Sequence, residues 1–156
     1  MKHDLEIKYD IVVLRPMNEE DSERYRVLRN KSKQFFFNNK DISKEDNKSW
    51  FKSYLNRKDE YMFSIYTNEN RFIGGLGLYD FIQYDTGEYG CEFGRIVVSP
   101  KYRRGGYGIT SVKAVIMLGK EKLKIAMIEY CKNFVKEEEK ELTKEVFISP
   151  KIEQRM

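Results

Sequence analysis

The chain has 156 residues, a net charge of +4, 40% hydrophobic and 35% charged side chains, a length that suits one domain. Eleven Tyr and ten Phe supply the apolar surface of a packed core, which excludes wholesale disorder, and no apolar run approaches the roughly 18 residues of a membrane span. The single histidine, His3, falls in an N-terminus expected to be frayed, and the two cysteines are Cys91 and Cys131. This inventory excludes most Ser-His-Asp and Cys-His chemistry, multi-His metal centres, Cys-rich zinc sites and disulfide frameworks. The opening MKHDLEIKYD lacks the apolar region of a secretory signal, so a cytoplasmic protein without a metal is expected. The mild basic surplus suits nucleic acid, an anionic small ligand or a solvated mixed-charge surface, and composition leaves these open.

Residues 1–10 read as a polar lead-in, with 1–9 flexible. DIVVLRP (Asp10 to Pro16) is short and β-branched and predicts a strand. Asn18, with Asp21 three residues on, predicts a capped helix over Glu19 to Asn30 that carries Tyr25, Val27 and Leu28. QFFFNN (Gln34 to Asn39) has no helical period. Ser43 and Asp46 cap a second helix whose Trp50, Phe51, Tyr54 and Leu55 form one apolar face. Tyr61 to Thr67 and Arg71 to Phe81 read as a β-hairpin across the turn Asn68-Glu69-Asn70. Cys91 to Ser99 is a fourth strand, ended by Pro100. A helix follows from about Gly106 to Lys120, with Ile109, Val112, Ile116 and Leu123 on one side. Lys124 to Cys131 reads as a fifth strand. In the tail, Lys and Glu favour helix to about Thr143 while EVFIS favours strand.

The chemistry concentrates where the fourth strand runs through the basic, glycine-rich turn KYRRGGYG into a helix. Gly105, Gly106 and Gly108 remove side chains where helix N–H groups are unpaired, and Lys101, Arg103 and Arg104 add positive charge. Such a turn either binds a phosphate or pyrophosphate or is merely tight. It is neither a Walker loop, since no Gly-Lys-Ser/Thr occurs, nor a Rossmann fingerprint, since the glycine spacing differs.

Arg103-Arg104-Gly105-Gly106-Tyr107-Gly108 resembles the Arg/Gln-x-x-Gly-x-Gly/Ala loop of the GNAT superfamily N-acetyltransferases. The order of elements resembles that family too, over roughly Asp10 to Asn133. The resemblance implies a single α/β (α+β) domain spanning 1–156. Its sheet would be mixed and mostly antiparallel, with flanking helices and a splay between the fourth and fifth strands. The segment 134–156 is irregular against the family pattern, which leaves a sheet edge uncovered and predicts a homodimer through EVFIS or KIAMIEYC.

The resemblance also implies roles. Backbone N–H groups of Arg103, Arg104, Gly105, Gly106, Tyr107 and Gly108, running on to Ile109, would hold the pyrophosphate of acetyl-CoA, the co-substrate. Peptide groups of Ile96, Val97 and Val98 would pair with the pantetheine arm, and Ile96 N–H would face the thioester carbonyl. Glu92 resembles the strand-four glutamate that serves as general base in one branch. It lies on a β-strand among Cys91, Phe93, Ile96 and Val98, where desolvation would favour that role; the other reading is a solvent-facing strand end. Asp80 and Glu88 are alternative bases, and Tyr130 is the candidate general acid for the departing thiolate. The acceptor would be a primary amine of a small molecule, such as an amino sugar, or a protein N-terminus, walled by QFFFN, Trp50 and Phe51. Nucleic acid and membrane are not expected partners. A non-catalytic acyl-CoA-binding domain and a small nucleic-acid-binding module are the competing readings.

Overall fold

The first two predicted helix starts are capped as their residue types dictate. The Asn18 side chain accepts from the Asp21 N–H at 2.7 Å and Ser43 Oγ from the Asp46 N–H at 3.1 Å. The computed structural model describes residues 2–36 and 39–130. In chain order the elements are β1 (Ile7–Tyr9), β2 (Val12–Pro16), α1 (Glu19–Lys31), α2 (Lys44–Asn56), β3 (Tyr61–Thr67), β4 (Phe72–Gln83), β5 (Tyr89–Val98), α3 (Tyr107–Lys122) and β6 (Ile125–Tyr130). Single 3₁₀ turns, Lys33–Phe35 and Pro100–Tyr102, follow α1 and β5.

The strands form one sheet in the order β1-β2-β3-β4-β5-β6. Neighbours are antiparallel through β5, and β6 joins β5 in parallel after the α3 crossover. The sheet is therefore mixed and mostly antiparallel, as expected. Leu14, Phe63, Ile65, Leu76, Leu78 and Phe93 pack on one face beneath Ala114, Val115 and Leu118 of α3. On the other face Met62 and Val97 meet Tyr25 of α1 and Phe51 and Tyr54 of α2.

Three sequence expectations need correction. The lead-in forms β1, paired Ile7↔Leu14, Lys8↔Val13 and Tyr9↔Val12, because Ile7 and Tyr9 alternate with polar residues and half-bury against the core. His3 is docked. Its Nε2 donates to Met62 O at 3.0 Å, its Nδ1 accepts from the Leu5 N–H at 3.2 Å, and its ring packs on Tyr61 and Phe63. On α3, Ile109 is 40% exposed, since the buried stripe runs through Ser111, Ala114, Val115 and Leu118 instead. The predicted tail elements and EVFIS lie outside the described residues, as does Cys131, the last residue predicted for the fifth strand.

A buried carboxylate locks α1 to the sheet. Asp21, 1% exposed, accepts from Ser64 Oγ at 2.8 Å, from the Tyr66 hydroxyl at 2.7 Å and from Arg24 at 3.1 Å. One residue thus serves the first turn of α1 and the middle of β3, and a buried acid this well bonded fixes the helix's position along the strand. The connection to α2 is held just as locally. Asn30 bonds both the N–H and the carbonyl of Ile42 at 2.9 Å, and Arg26 adds a third contact to that carbonyl at 3.0 Å.

Burial pulls the His3 imidazole below its usual value, and the hydrogen bond to Met62 opposes that only in part. The unfolded chain then binds a proton more readily than the folded one. This contribution to stability is full above the ordinary imidazole value and is lost as pH falls through the folded one. Urea melts of His3→Gln should therefore show a flatter rise of stability between about pH 5 and 7 than the parent chain. Parallel curves would mean that the imidazole contributes no such slope.

Candidate active site

Position and donor supply single out the start of α3. β5 ends where the Ser99 N–H reaches Ile73 O at 2.7 Å, and the 3₁₀ turn carries the chain to Arg103. Arg104 (φ +66°) and Gly106 (φ +83°) both take left-handed backbone, which turns the chain sharply into the helix. Gly106 is the N-cap and offers no side chain, so the N–H groups of the first turn find no partner of the usual kind. The carbonyls at the helix start are occupied: Gly106 O accepts from Thr110 N and Oγ1, and Tyr107 O accepts from Ser111 Oγ at 2.7 Å. The helices α1 and α2 carry acids in their first turns, whereas α3 carries none. The positive end of its dipole is thus left for an external anion.

The basic side chains divide their work. Arg103 is tied down, its guanidinium donating to Val98 O at 3.3 Å and to Ser32 Oγ at 2.9 Å. It clamps the loop to β5 and to the end of α1. Lys101 and Arg104 are exposed. Tyr107 meets Tyr102 edge-on at 5.5 Å and steadies the turn. A Cβ on Gly108 would make an ordinary contact with the Val98 side chain at 3.8 Å, so the fold has room for one there.

Upstream, β5 is irregular at the position where chemistry is expected. Gly75 pairs with Val97 and Gly77 with Gly94, so Leu76 faces two residues, Arg95 and Ile96. This is a β-bulge, and Arg95 takes φ +54° in it. For an arginine that conformation costs about 1 kcal/mol or more. The described pairing with β6 runs from Tyr89↔Ile125 to Phe93↔Tyr130, so the bulge begins just beyond it. Ile96 and Val98 lie with the α3 core and Val97 with the opposite cluster.

Alternation and the bulge together correct the setting of Glu92. Cys91, Phe93, Ile96 and Val98 belong to the α3 face, so Glu92, half-buried, projects from the other. It stands opposite Tyr79 on β4 and Glu129 on β6, on the side covered by α1 and α2. Tyr130 is one register position further along β6, and its side chain lies outside the described residues. Asp80, exposed at φ +51°, interrupts the register further along β4, and Glu88 belongs to the following turn. Burial pushes the Cys91 thiol up to about 12, with Glu92 adding to the effect, so it stays protonated and is no nucleophile.

Sequence reasoning missed the wall facing Glu92. The Tyr25 hydroxyl donates to Arg95 O at 2.6 Å, and the Tyr54 hydroxyl accepts from Met62 N at 2.8 Å. Burial keeps both phenols protonated, Tyr54 being raised to about 12. The Arg95 guanidinium lies 4.3 Å over Tyr79 and pairs with Glu60, which Arg57 also contacts at 2.7 Å. Trp50 stacks on Tyr54 at 5.5 Å, while Phe36 takes the Arg29 guanidinium at 4.9 Å. Phe51 is buried in this second core, and Phe37 lies outside the described residues.

A strand with a bulge, an uncapped glycine-rich helix start and a carboxylate on the opposite face suit acyl transfer from an anionic carrier. A sequence profile of the acetyltransferase (GNAT) domain matches residues 12–134. The chain belongs to the GNAT acetyltransferase family. Solved GNAT structures share its fold. An apo nucleotide-linked sugar GNAT, FdhC, is 23% identical and superposes with a TM-score of 0.67, covering 82% of this chain and 72% of its own. A GNAT-family acetyltransferase from Bacillus anthracis is 21% identical, with a TM-score of 0.64 over 79% of this chain and 70% of that one. Spermidine N-acetyltransferase from Vibrio cholerae, in complex with CoA and spermine, is 15% identical, with a TM-score of 0.66 over 76% and 69%. Among curated proteins none matches the sequence.

Within this GNAT fold the described residues contain no helix able to cross a membrane and no cluster of three metal-binding side chains. The loop geometry gives a clean binding test. In Gly108→Ala the added Cβ makes only an ordinary contact with Val98, so the fold should hold, whereas a ligand needing the backbone there is pushed away. Calorimetry should show acetyl-CoA affinity falling at least tenfold, about 1.4 kcal/mol. Unchanged affinity in the folded variant would end the loop assignment.

Proposed function

We propose that this protein is an acetyl-CoA-dependent N-acetyltransferase that moves the acetyl group to a primary amine by direct attack. The observation that carries the reading is the placement of three features along one strand and the turn that follows it. Glu92 on the α1/α2 face, the bulge at Arg95–Ile96 and the donor-rich loop Arg103–Gly108 succeed one another along β5 and into α3. When bound, acetyl-CoA supplies the activated acyl group as a thioester. The residues fit it: uncapped first-turn donors, no acid in that turn and open space beside Gly106 suit a pyrophosphate. Backbone from Arg103 through Ile109 binds it, and Ile96–Val98 align the arm. Ile96 N–H donates to the acyl oxygen as negative charge develops there.

An alkylammonium has no free electron pair at neutral pH, so a base must take its proton first. Glu92 takes it, directly or through one water. Tyr130 supplies a proton to the departing sulfur. The protonated Cys91, on the far face, leaves no acetyl-enzyme route through that residue, which favours direct attack over relay. Small primary amines are the first acceptors to try, among them amino sugars, polyamines and N-terminal peptides. A nucleotide-linked sugar GNAT and a spermidine N-acetyltransferase share the fold.

Once the panel yields an acceptor, Glu92→Gln should lower kcat by about 100-fold or more while acetyl-CoA affinity barely moves. The rising limb of the pH–rate profile should also be lost. Cys91→Ala is the control and should keep kcat within a few fold. A fast Glu92→Gln enzyme would assign the base elsewhere. Tight CoA binding without turnover of any amine would favour a non-catalytic acyl-CoA-binding domain.

A further inference from the structure

Arg95 occupies a backbone conformation that arginine rarely adopts unaided, and neighbours from separate elements hold it there. Tyr25 of α1 donates to its carbonyl at 2.6 Å. Its guanidinium lies 4.3 Å over the Tyr79 ring of β4 and 3.8 Å from the Met62 sulfur of β3. The same guanidinium pairs with Glu60, the residue just before β3. Glu60 is 4% exposed and its second oxygen is held by Arg57 at 2.7 Å. A carboxylate committed to two guanidiniums is not available to take a proton from an acceptor. Its place beside the bulge calls for another role.

We propose that the Glu60–Arg95 pair is a latch that keeps residue 95 in left-handed backbone and so aims the Ile96 N–H at the acyl carbonyl. The N–H of Ile96 rides on the peptide plane that follows Arg95, and the torsions of residue 95 set that plane. If residue 95 relaxes toward ordinary strand geometry, the bulge is lost and the donor turns with it. Glu60 and Arg95 are then positioning residues, one acting through the other and neither touching the reacting atoms. The link from latch to rate rests on the acetyl-transfer reading, whereas the latch itself does not.

The test exploits the fact that glycine adopts left-handed backbone without help. Glu60→Gln should lower kcat at least tenfold while leaving the acetyl-CoA dissociation constant within about twofold, because the pyrophosphate loop is untouched. Adding Arg95→Gly to it should restore much of the lost rate, since a glycine needs no latch. A merely structural ion pair gives the opposite order, with the double variant slower than the single. That result, or an unchanged kcat in folded Glu60→Gln, overturns the proposal. If Glu60→Gln does not fold, Arg95→Gly against Arg95→Ala makes the same comparison, and a faster Ala variant overturns it.

Amide hydrogen exchange at Ile96 in the ligand-free protein separates this idea from the activity reading. The exchange rate should shift in Glu60→Gln as the N–H turns with the relaxed strand, and return toward the parent value in the double variant. That pattern with no amine turned over by the parent chain would keep the latch and remove the acetyltransferase reading. Equal exchange in all three chains would remove the latch and leave the activity reading standing.

Discussion

How closely α1 can approach β4 decides where the rest of the site falls. A Cβ on Gly75 would sit 2.8 Å from the Tyr25 ring and 2.7 Å from the Met17 methyl. A Cβ on Gly77 would meet the Met62 sulfur at 2.5 Å, and one on Gly74 would strike the carbonyl of Val97 at 1.9 Å. The glycines of β4 therefore strip side chains from the face that α1 covers and from the backbone that β5 needs. Only then can the Tyr25 hydroxyl reach the carbonyl of Arg95. Asp21, bonded to Ser64 and Tyr66, sets the helix along the strand so that the hydroxyl arrives at the bulge. Packing, capping and site geometry are one constraint seen from three sides.

The two substrates are received by different kinds of chemistry. On the proposed carrier side the chain offers backbone: first-turn N–H groups, left-handed turns at Arg104 and Gly106, and strand peptides at Ile96 to Val98. Backbone donors are fixed by the fold and need no reorganisation when charge appears. The face of β5 that carries Glu92, where the acceptor is proposed to enter, is made of side chains, with Tyr79 and Arg95 beside it and the buried phenols of Tyr25 and Tyr54 behind. A change of one side chain there alters what fits without disturbing the carrier loop.

This division explains what was legible in the sequence. Asn18/Asp21 and Ser43/Asp46 were readable because a cap joins residues three apart. The glycine loop was readable because its glycines lie close together in sequence, one of them, Gly106, in left-handed backbone. The hairpin at Asn68–Asn70 was readable for a like reason, with Asn70 in left-handed backbone. Glu60 and Arg95 are 35 positions apart, and nothing in either residue type announces a bulge or a positive φ. The face of Glu92 was assigned together with Ile96 and Val98 because strict alternation was assumed, and the extra residue at Arg95–Ile96 breaks that assumption. β1 was overlooked because three residues with a lysine in the middle look polar until Leu14 and Val12 supply the other half of the ladder.

The bulge is also where stability and function part company. A regular β5 would satisfy the ladder, spare the arginine its unusual backbone and keep one residue opposite each residue of β4. The chain instead keeps an irregular step and surrounds it with a phenol, an aromatic face, a thioether and a carboxylate. Strain of this sort persists only where neighbours over-determine it, and here they come from the segment before β3, from β3 itself, from β4 and from α1. A segment selected for packing alone would have lost either the bulge or its supports. Both remain, and the bulge lies between Glu92 and the glycine-rich turn, where the proposed reaction asks for a peptide N–H outside the ladder.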